Sequence, residues 1–156
     1  MRIKRIFKFL ISIILPLGVG FASSFATMSS VSTWYQEIAK PVFTPPDWLF
    51  APAWTALYVL MGLAFYNIWI SESKYKSKAA FFFLIQLVLN GLWSVIFFGL
   101  QAPLAAFVEL VSLLILIIIT TYYSYKISKH TIWYLLPYIG WVTFAGALNL
   151  SIVLLN

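Results

Sequence analysis

Residues 79–125 read AAFFFLIQLVLNGLWSVIFFGLQAPLAAFVELVSLLILIIITTYYSY, and this stretch decides the fold class. It carries no basic residue and a single acid, Glu109. A hydrocarbon core about 30 Å thick needs roughly 20 apolar residues per helix, and each half of the stretch, 79–100 and 103–125, is that long. Only Gln101 and Ala102 separate the halves. Such a short link predicts two antiparallel membrane helices that are neighbours in space.

Outside this stretch, residues 9–28, 50–70 and 132–155 satisfy the same length criterion, and none alternates with the period of a membrane β-strand. The composition agrees, with 63% hydrophobic residues, 9% charged residues and a mean hydropathy of +0.96. A soluble domain carries about 25% charged residues. We therefore expect an all-α membrane protein with one domain over residues 1–156, a bundle of five transmembrane helices. The absence of cysteine from the sequence excludes disulfides and zinc–thiolate sites.

The basic residues predict the orientation of the bundle. An odd number of crossings places every Lys and Arg except Lys40 on one face: Arg2, Lys4, Arg5, Lys8, Lys74, Lys76, Lys78, Lys126 and Lys129. Positive residues mark the cytoplasmic side, so we expect the N-terminus inside and the C-terminus outside a bacterial cytoplasmic membrane. The net charge of +6 is then a topology signal, and nucleic acid is not an expected partner. The N-terminus resembles a signal peptide, but its apolar run continues to Met28, which favours a retained helix.

Three spans each carry a stripe of aromatic and amide side chains at helical spacing. The stripes are Trp54, Tyr58, Met61 and Phe65; Gln86, Asn90, Trp93 and Phe97; and Tyr138, Trp141, Ala145, Leu148 and Asn149. Polar groups in lipid face the bundle interior. One interpretation is core packing, with amides that bridge helices. The other is a site for a flat ligand, which requires aromatic walls and a few orienting donors.

Titratable groups inside the membrane are few. Glu109 lies about 9 Å along its helix from Pro103 at 1.5 Å per residue, and it is either a functional carboxylate or a structural partner. His130 falls in a loop on the basic face, without a second ligand nearby in sequence, so no metal site is expected. No nucleophile–base, paired-carboxylate or phosphate-loop pattern is present, which argues against conventional hydrolytic or metal catalysis.

The connection 29–49 is long for a structureless loop, and loops of that length tend to be functional. Pro41, Pro45 and Pro46 force an extended, rigid run. Thr33 and Gln36 fit a capping box, which predicts a short helix over 33–39, and Asp47 is placed to cap the next span. We expect this aromatic loop to act as a lid over a cavity; the alternative is a segment that lies in the lipid headgroups.

Three runs resemble one known family. KPVFTPPDWLFAPAWTALYVLMGLA, QLVLNGLWSVIFFG and LLPYIGWVTFAGALN occur in the order and spans of the TspO/MBR family, the tryptophan-rich sensory proteins and translocator proteins. The resemblance covers roughly residues 34–149. It implies a five-helix bundle, usually dimeric, that binds porphyrins, haem and isoquinoline-type drugs beneath the first loop. Some bacterial members of that family degrade protoporphyrin IX in light, and the resemblance implies that this activity is possible here.

Carried over by position, the resemblance implies a ligand site with no metal and no obligatory cofactor, in which porphyrin or haem is the ligand. The implied site residues are Pro45, Pro46, Trp48, Trp54, Tyr58, Asn90, Trp93, Trp141, Phe144 and Ala145. Trp54 and Trp141 would be catalytic only if porphyrin photochemistry occurs. Phe43 stands where the family often has Trp, and the C-terminal NLSIVLLN lacks the family's cholesterol motif.

Two functions remain as alternatives at this stage: a membrane receptor or sensor for porphyrins, with light-dependent porphyrin oxidation as an extension, and a transporter of tetrapyrroles or other amphipathic molecules. Transporters usually show inverted repeats or broken helices, which we do not find beyond Pro16 and Pro137. The expected partners are porphyrin-like or isoquinoline-type ligands, membrane lipids and a second copy of the chain. A row of small residues, Thr143, Ala147 and Ser151, is compatible with a homodimer.

Overall fold

The computed structural model describes residues 2–156; Met1 lies outside the described residues, and Arg2 is described by its backbone alone. The elements are α1 (Arg2–Ser30), α2 (Trp34–Glu37), α3 (Asp47–Ile70), α4 (Lys76–Ser94) with a π-helical continuation (Val95–Gly99), α5 (Pro103–Ile127), a 3-10 turn (Lys129–Thr131) and α6 (Ile132–Leu155). Residues 2–156 contain no β-strand. Five helices are long and apolar enough to cross a membrane, which confirms the predicted all-α, five-helix membrane class.

The five long helices form a ring in which each contacts the next, in the order α1, α3, α6, α5, α4 and back to α1. The basic residues of different elements meet at one end. The Lys8 ammonium lies 5.7 Å from the ring centroid of Trp69, and the Lys78 ammonium lies 5.7 Å from that of Tyr123. We call this end the basic end, and the opposite end, where α2 lies, the lid end.

The half of the bundle towards the basic end is a packed core. Met61, Phe83 and Tyr138 are fully buried there, and the rings of Phe65 and Phe83 stack with centroids 4.6 Å apart. The residues of the aromatic stripe on α3 that lie nearer the basic end therefore pack between helices. For Met61 and Phe65 the interpretation as interhelical packing is the correct one.

The turn between α4 and α5 departs from regular α-helix. The Leu100 amide donates to the Val95 carbonyl at 2.9 Å, five residues back, and Gln101 has a φ of 52°, in the left-handed region. The Ser30 hydroxyl at the end of α1 donates to the Phe98 carbonyl at 2.7 Å. The widened turn is thus tied to α1. Sequence periodicity did not predict this turn. The change of helical register at a single π-turn is too small to show in the pattern of apolar and polar residues.

Close packing of α1 on α3 depends on Gly62. A Cβ built on Gly62 would lie 2.7 Å from the Ser12 carbonyl oxygen and 2.9 Å from the Ile13 Cα. These neighbours are backbone atoms, so relief requires the two helices to move apart. At Gly140, in contrast, a Cβ would meet nothing within 4 Å.

We therefore expect Gly62→Ala to lower the free energy of unfolding by about 1–3 kcal/mol, the usual cost of forcing backbone shifts in a packed interior. Gly140→Ala is the matched control, because it makes the same change in a helix without the overlap and gains helix propensity. The measurement is thermal unfolding of both variants in one detergent. Equal midpoints for the two variants would contradict the assignment of Gly62 to the α1–α3 contact.

Candidate functional site

A cavity of about 930 Å³ occupies the lid end of the ring. Its walls come from α1, α3, α4 with its π-helical continuation, and α6, and loop residues Val31, Ser32, Tyr35 and Gln36 close its top. Seven of the predicted site residues line it: Trp48, Trp54, Tyr58, Asn90, Trp93, Trp141 and Ala145. The ring of helices therefore brings together most of the stripe residues that lie in its lid-end half.

Aromatic rings from α3, α4 with its π-helical continuation, and α6 line this cavity. On α3, the ring of Trp54 stacks on Tyr58 with centroids 5.6 Å apart and meets Trp141 edge to face at 6.4 Å. On the α4 side, Trp93 stacks on Phe97 at 5.1 Å. Such surfaces offer stacking contacts to a flat, apolar ligand.

A chain of hydrogen bonds runs from the cavity into the core and joins α3, α4 and α6. The Tyr58 hydroxyl donates to Asn90 Oδ1 at 2.7 Å, Asn90 Nδ2 donates to the Tyr138 hydroxyl at 3.0 Å, and that hydroxyl donates to Gln86 Oε1 at 2.8 Å. Gln86 is 1% exposed and does not line the cavity. Gln86 therefore bridges helices, whereas Asn90 both bridges helices and contributes to the cavity wall.

A second pair of bonds positions the Trp93 ring. The Trp93 indole N–H donates to Asn149 Oδ1 at 3.2 Å, and Asn149 Nδ2 donates to the Pro103 carbonyl at 2.8 Å. The indole nitrogen is therefore used within the protein. Trp93 can offer a ligand its ring face, held at a defined angle by the start of α5.

Three predicted site residues are not brought to this cavity. Pro45 and Phe144 line a second, shallower groove of about 530 Å³ between α3 and α6, and Pro46 precedes α3 and lines neither. Trp141 lines both the cavity and the groove, so its ring is the wall between them. A ligand role for Pro45, Pro46 and Phe144 remains a prediction, and for Pro45 and Phe144 it would concern the groove side of Trp141.

The first loop is pinned at the lid end by contacts to other elements. The Tyr35 side chain is 4% exposed and packs against Phe97 and Phe98, with centroids 6.2 and 5.4 Å away. Burial, and secondarily the Asp47 carboxylate, raises the pKa of Tyr35 to about 12, so this anchor stays uncharged at ordinary pH. The Asn156 side chain pairs with both the N–H and the carbonyl of Ala39 at 3.0 Å.

Both predicted caps in this loop are wrong. The short helix spans only Trp34–Glu37, and its N-cap Thr33 makes no side-chain capping bond; its hydroxyl lies 3.4 Å from the Ser30 carbonyl instead. Asp47 is the first residue of α3 rather than its cap. The Gln36 backbone N–H donates to the Thr33 carbonyl at 3.0 Å and not to its hydroxyl, and the Gln36 side chain donates to the Val31 carbonyl and to Asp47 Oδ2.

Sequence reasoning missed the contribution of α1 to the cavity. Gly20, Ser24 and Thr27 line it at helical spacing. A stripe of small and hydroxyl side chains in an otherwise bulky apolar helix was the available signal. It was obscured because the segment also resembles a signal peptide.

Glu109 lies on α5, which contributes no described residue to the cavity wall. Its two carboxylate oxygens are buried and make no hydrogen bond within residues 2–156. Over the same residues, no group of three or more His, Asp or Glu side chains is placed to hold a metal ion. The described lining of the cavity consists of apolar and aromatic side chains, hydroxyls, amides and one carboxylate, that of Asp47.

Comparison with known proteins gives a consistent result. A family model described as the TspO/MBR family matches residues 12–155. The chain is 50% identical over 152 residues to the Tryptophan-rich protein TspO of Archaeoglobus fulgidus, covering 97% of this chain and 99% of that one. It is 41% identical over 155 residues to the protein of the same name from Chlorobaculum tepidum, covering 98% of each. It is 34% identical over 119 residues to the Translocator protein of Homo sapiens, covering 74% of this chain and 70% of that one.

Proposed function

Because this chain belongs to the TspO/MBR family, we propose that it is an integral membrane receptor or sensor that binds porphyrins, haem and similar flat apolar ligands in the cavity beneath the first loop. The observation that carries the proposal is a pair of stacked aromatic surfaces, Trp54 with Tyr58 and Trp93 with Phe97, that line one cavity of about 930 Å³. Small-molecule sites usually enclose about 300–1,000 Å³. A cavity at the upper end of that range suits a large planar molecule.

The polar groups of the cavity support an amphipathic ligand. Ser32, Gln36 and Asp47 line the cavity at the lid end, where Gln36 donates to Asp47, and the deeper amides and the Trp93 indole are bonded within the protein as well. A ligand would therefore place its apolar rings between the aromatic walls and its polar edge towards the loop. The same proposal places the basic end in the cytoplasm, because positive loops remain on that side, and includes a homodimer.

The test is a titration of the purified protein with protoporphyrin IX in the dark, followed by tryptophan quenching. We expect saturable quenching, because Trp48, Trp54, Trp93 and Trp141 all line the cavity. An unrelated helical membrane protein in the same detergent reports partitioning into the micelle. Quenching that only follows this control would contradict the proposal.

A matched pair of substitutions localises the site in the same assay. Ala145→Trp places a large ring inside the cavity and is expected to raise the Kd at least tenfold, the equivalent of about 1.4 kcal/mol. Val108→Trp adds the same ring to α5, where the side chain is exposed and lines no cavity, and is expected to leave the Kd unchanged. Equal losses in both variants would mean that the quenching does not come from this cavity.

Light-dependent porphyrin breakdown is a second candidate activity. It is favoured by the position of two indoles, Trp54 and Trp141, which meet at 6.4 Å on one wall of the cavity. Both rings would lie beside a bound, photoexcited macrocycle. This activity needs no acid–base group, which suits a cavity whose deeper wall is aromatic, hydroxyl and amide and whose one carboxylate, Asp47, lies at the lid end.

A further inference from the structure

The cavity is not closed between α1 and α3. Several side chains that line it from these two helices are also largely exposed: Phe21 (70%) and Met28 (68%) on α1, and Trp48 (72%), Ala51 and Thr55 on α3. On each helix these residues recur at intervals of three, four or seven, so they form one stripe. The two stripes face the same gap, which we call the lateral opening.

Two glycines allow α1 and α3 to approach closely on the side of this opening towards the basic end. Gly62 brings the backbones of α1 and α3 into contact near the basic end. Higher up, a Cβ on Gly20 would overlap the Tyr58 ring, with Cζ at 2.8 Å. Above Gly20 and Tyr58 the cavity separates the helices, so this contact is the lower edge of the opening.

A side-chain bridge forms the upper edge. Gln36 Nε2 donates to the Val31 carbonyl, just after α1, at 3.0 Å and to Asp47 Oδ2, at the start of α3, at 3.1 Å. Between these edges, Trp48 to Thr55 spans about 10 Å of helix at 1.5 Å per residue. Thr55 lies about 12 Å along α3 from its first residue, so the opening reaches into the hydrocarbon region of a bilayer.

The loop side is closed by comparison. Tyr35 is buried against the Phe97 and Phe98 rings, and Asn156 holds both polar groups of the Ala39 peptide unit. A ligand that passed through the loop would have to break these contacts. One that passed between α1 and α3 would displace mainly exposed apolar side chains.

We propose that this cavity exchanges its ligand sideways with the bilayer, through the lateral opening between α1 and α3, while the first loop stays in place. The molecule that uses this route is a flat, apolar amphiphile dissolved in the membrane, because the opening faces acyl chains and is lined mainly by apolar groups. The identification of that molecule as a porphyrin rests on the proposed function; the route does not.

The test uses the absence of cysteine from the sequence. Ala145→Cys places one thiol on the cavity wall, and the protein is held in nanodiscs, which expose both membrane faces. The probes are pyrenylmaleimide, a flat reagent that dissolves in the bilayer, and a methanethiosulfonate with a fixed quaternary ammonium, which stays in water. We expect the thiol to react with pyrenylmaleimide and to be protected from the charged reagent.

Matched variants in the Ala145→Cys background assign the route. Thr55→Trp narrows the lateral opening and is expected to slow pyrenylmaleimide labelling at least tenfold. Val59→Trp adds the same ring to an exposed position of α3 outside the cavity and is expected to have no effect. Ser24→Trp narrows the opening from the α1 side. It replaces Thr55→Trp in the assay if Thr55→Trp lowers the melting temperature. Asn156→Asp, which sets a carboxylate against the Ala39 carbonyl, loosens the loop and should leave the labelling rate unchanged.

Equal labelling rates in the variants with Trp at positions 55, 24 and 59 would overturn the proposal. So would pyrenylmaleimide labelling that is accelerated by Asn156→Asp and insensitive to Thr55→Trp, since the route would then run through the loop. Labelling needs no porphyrin. A chain that fails to bind protoporphyrin IX but shows the Thr55→Trp effect would disprove the proposed function and support the route.

Discussion

Asn90→Leu is expected to lower the free energy of unfolding by about 2 kcal/mol and to weaken protoporphyrin IX binding at least tenfold. Asn90 is 3% exposed and joins Tyr58 on α3 to Tyr138 on α6. Leucine keeps the volume but leaves both hydroxyls without this partner. A buried polar group left unpaired costs about 1–3 kcal/mol in soluble proteins, and single interhelical bonds in membranes contribute about 0.6, up to about 1.7. Two such bonds are lost here.

The same substitution is expected to weaken protoporphyrin IX binding. The Tyr58 ring stacks on Trp54 in the cavity wall, and the bond from its hydroxyl to Asn90 holds that ring in position. A double-mutant cycle with Tyr58→Phe separates the bond from the change in shape. We expect a coupling free energy of about 1 kcal/mol between the two substitutions. The measurement is reversible unfolding in mixed micelles, with the Kd taken from the dark titration. Additive effects, within about 0.5 kcal/mol, would show that the Tyr58–Asn90 bond does not stabilise the bundle.

The second large effect concerns light. Replacement of both Trp54 and Trp141 with Phe is expected to slow the light-dependent loss of protoporphyrin absorbance at least fivefold, with the Kd changed by less than threefold. Phenylalanine preserves a ring for stacking, but it is far harder to oxidise than indole. A bound, photoexcited porphyrin would then lack two of the four indoles that line the cavity.

Trp133→Phe provides the matched control, because Trp133 is exposed near the basic end and lines neither the cavity nor the groove. Its rate of pigment loss should equal that of the unmodified chain, and all samples should be stable in the dark. If the double variant bleaches the pigment as fast as the unmodified chain, the loss is free photobleaching and the light-dependent activity is absent. The binding function would stand unaffected.

Fold class and the number of spans were predictable because both depend on local properties. A run such as 103–125 is apolar along its whole length, and only a helix satisfies its backbone in lipid. The stripes were predictable for a related reason, since helical periodicity alone puts Trp54 and Tyr58, or Asn90 and Trp93, on one face. The halves of these stripes towards the lid end line the cavity, and the halves towards the basic end pack in the core.

The partners of each side chain were not predictable. Thr33 and Gln36 match a capping box in sequence, yet Gln36 bonds to Val31 and Asp47 because the ends of α1 and α3 lie within its reach. Asn156 contacts Ala39 across almost the whole chain length. Phe144 sits one turn from Trp141 on α6 but lines the groove rather than the cavity.

The sequence by itself determined the all-α class, the five spans, the separation of all basic residues except Lys40 from the long loop and the aromatic faces of three helices. Each of these follows from composition and period along a single segment. The tertiary structure decided which faces meet, which amides are already bonded within the protein and where the ring stays open. Those features depend on how closely the helices approach one another. Single contacts such as Gly62 on Ser12 and Gly20 on Tyr58, which no periodic pattern encodes, set that approach.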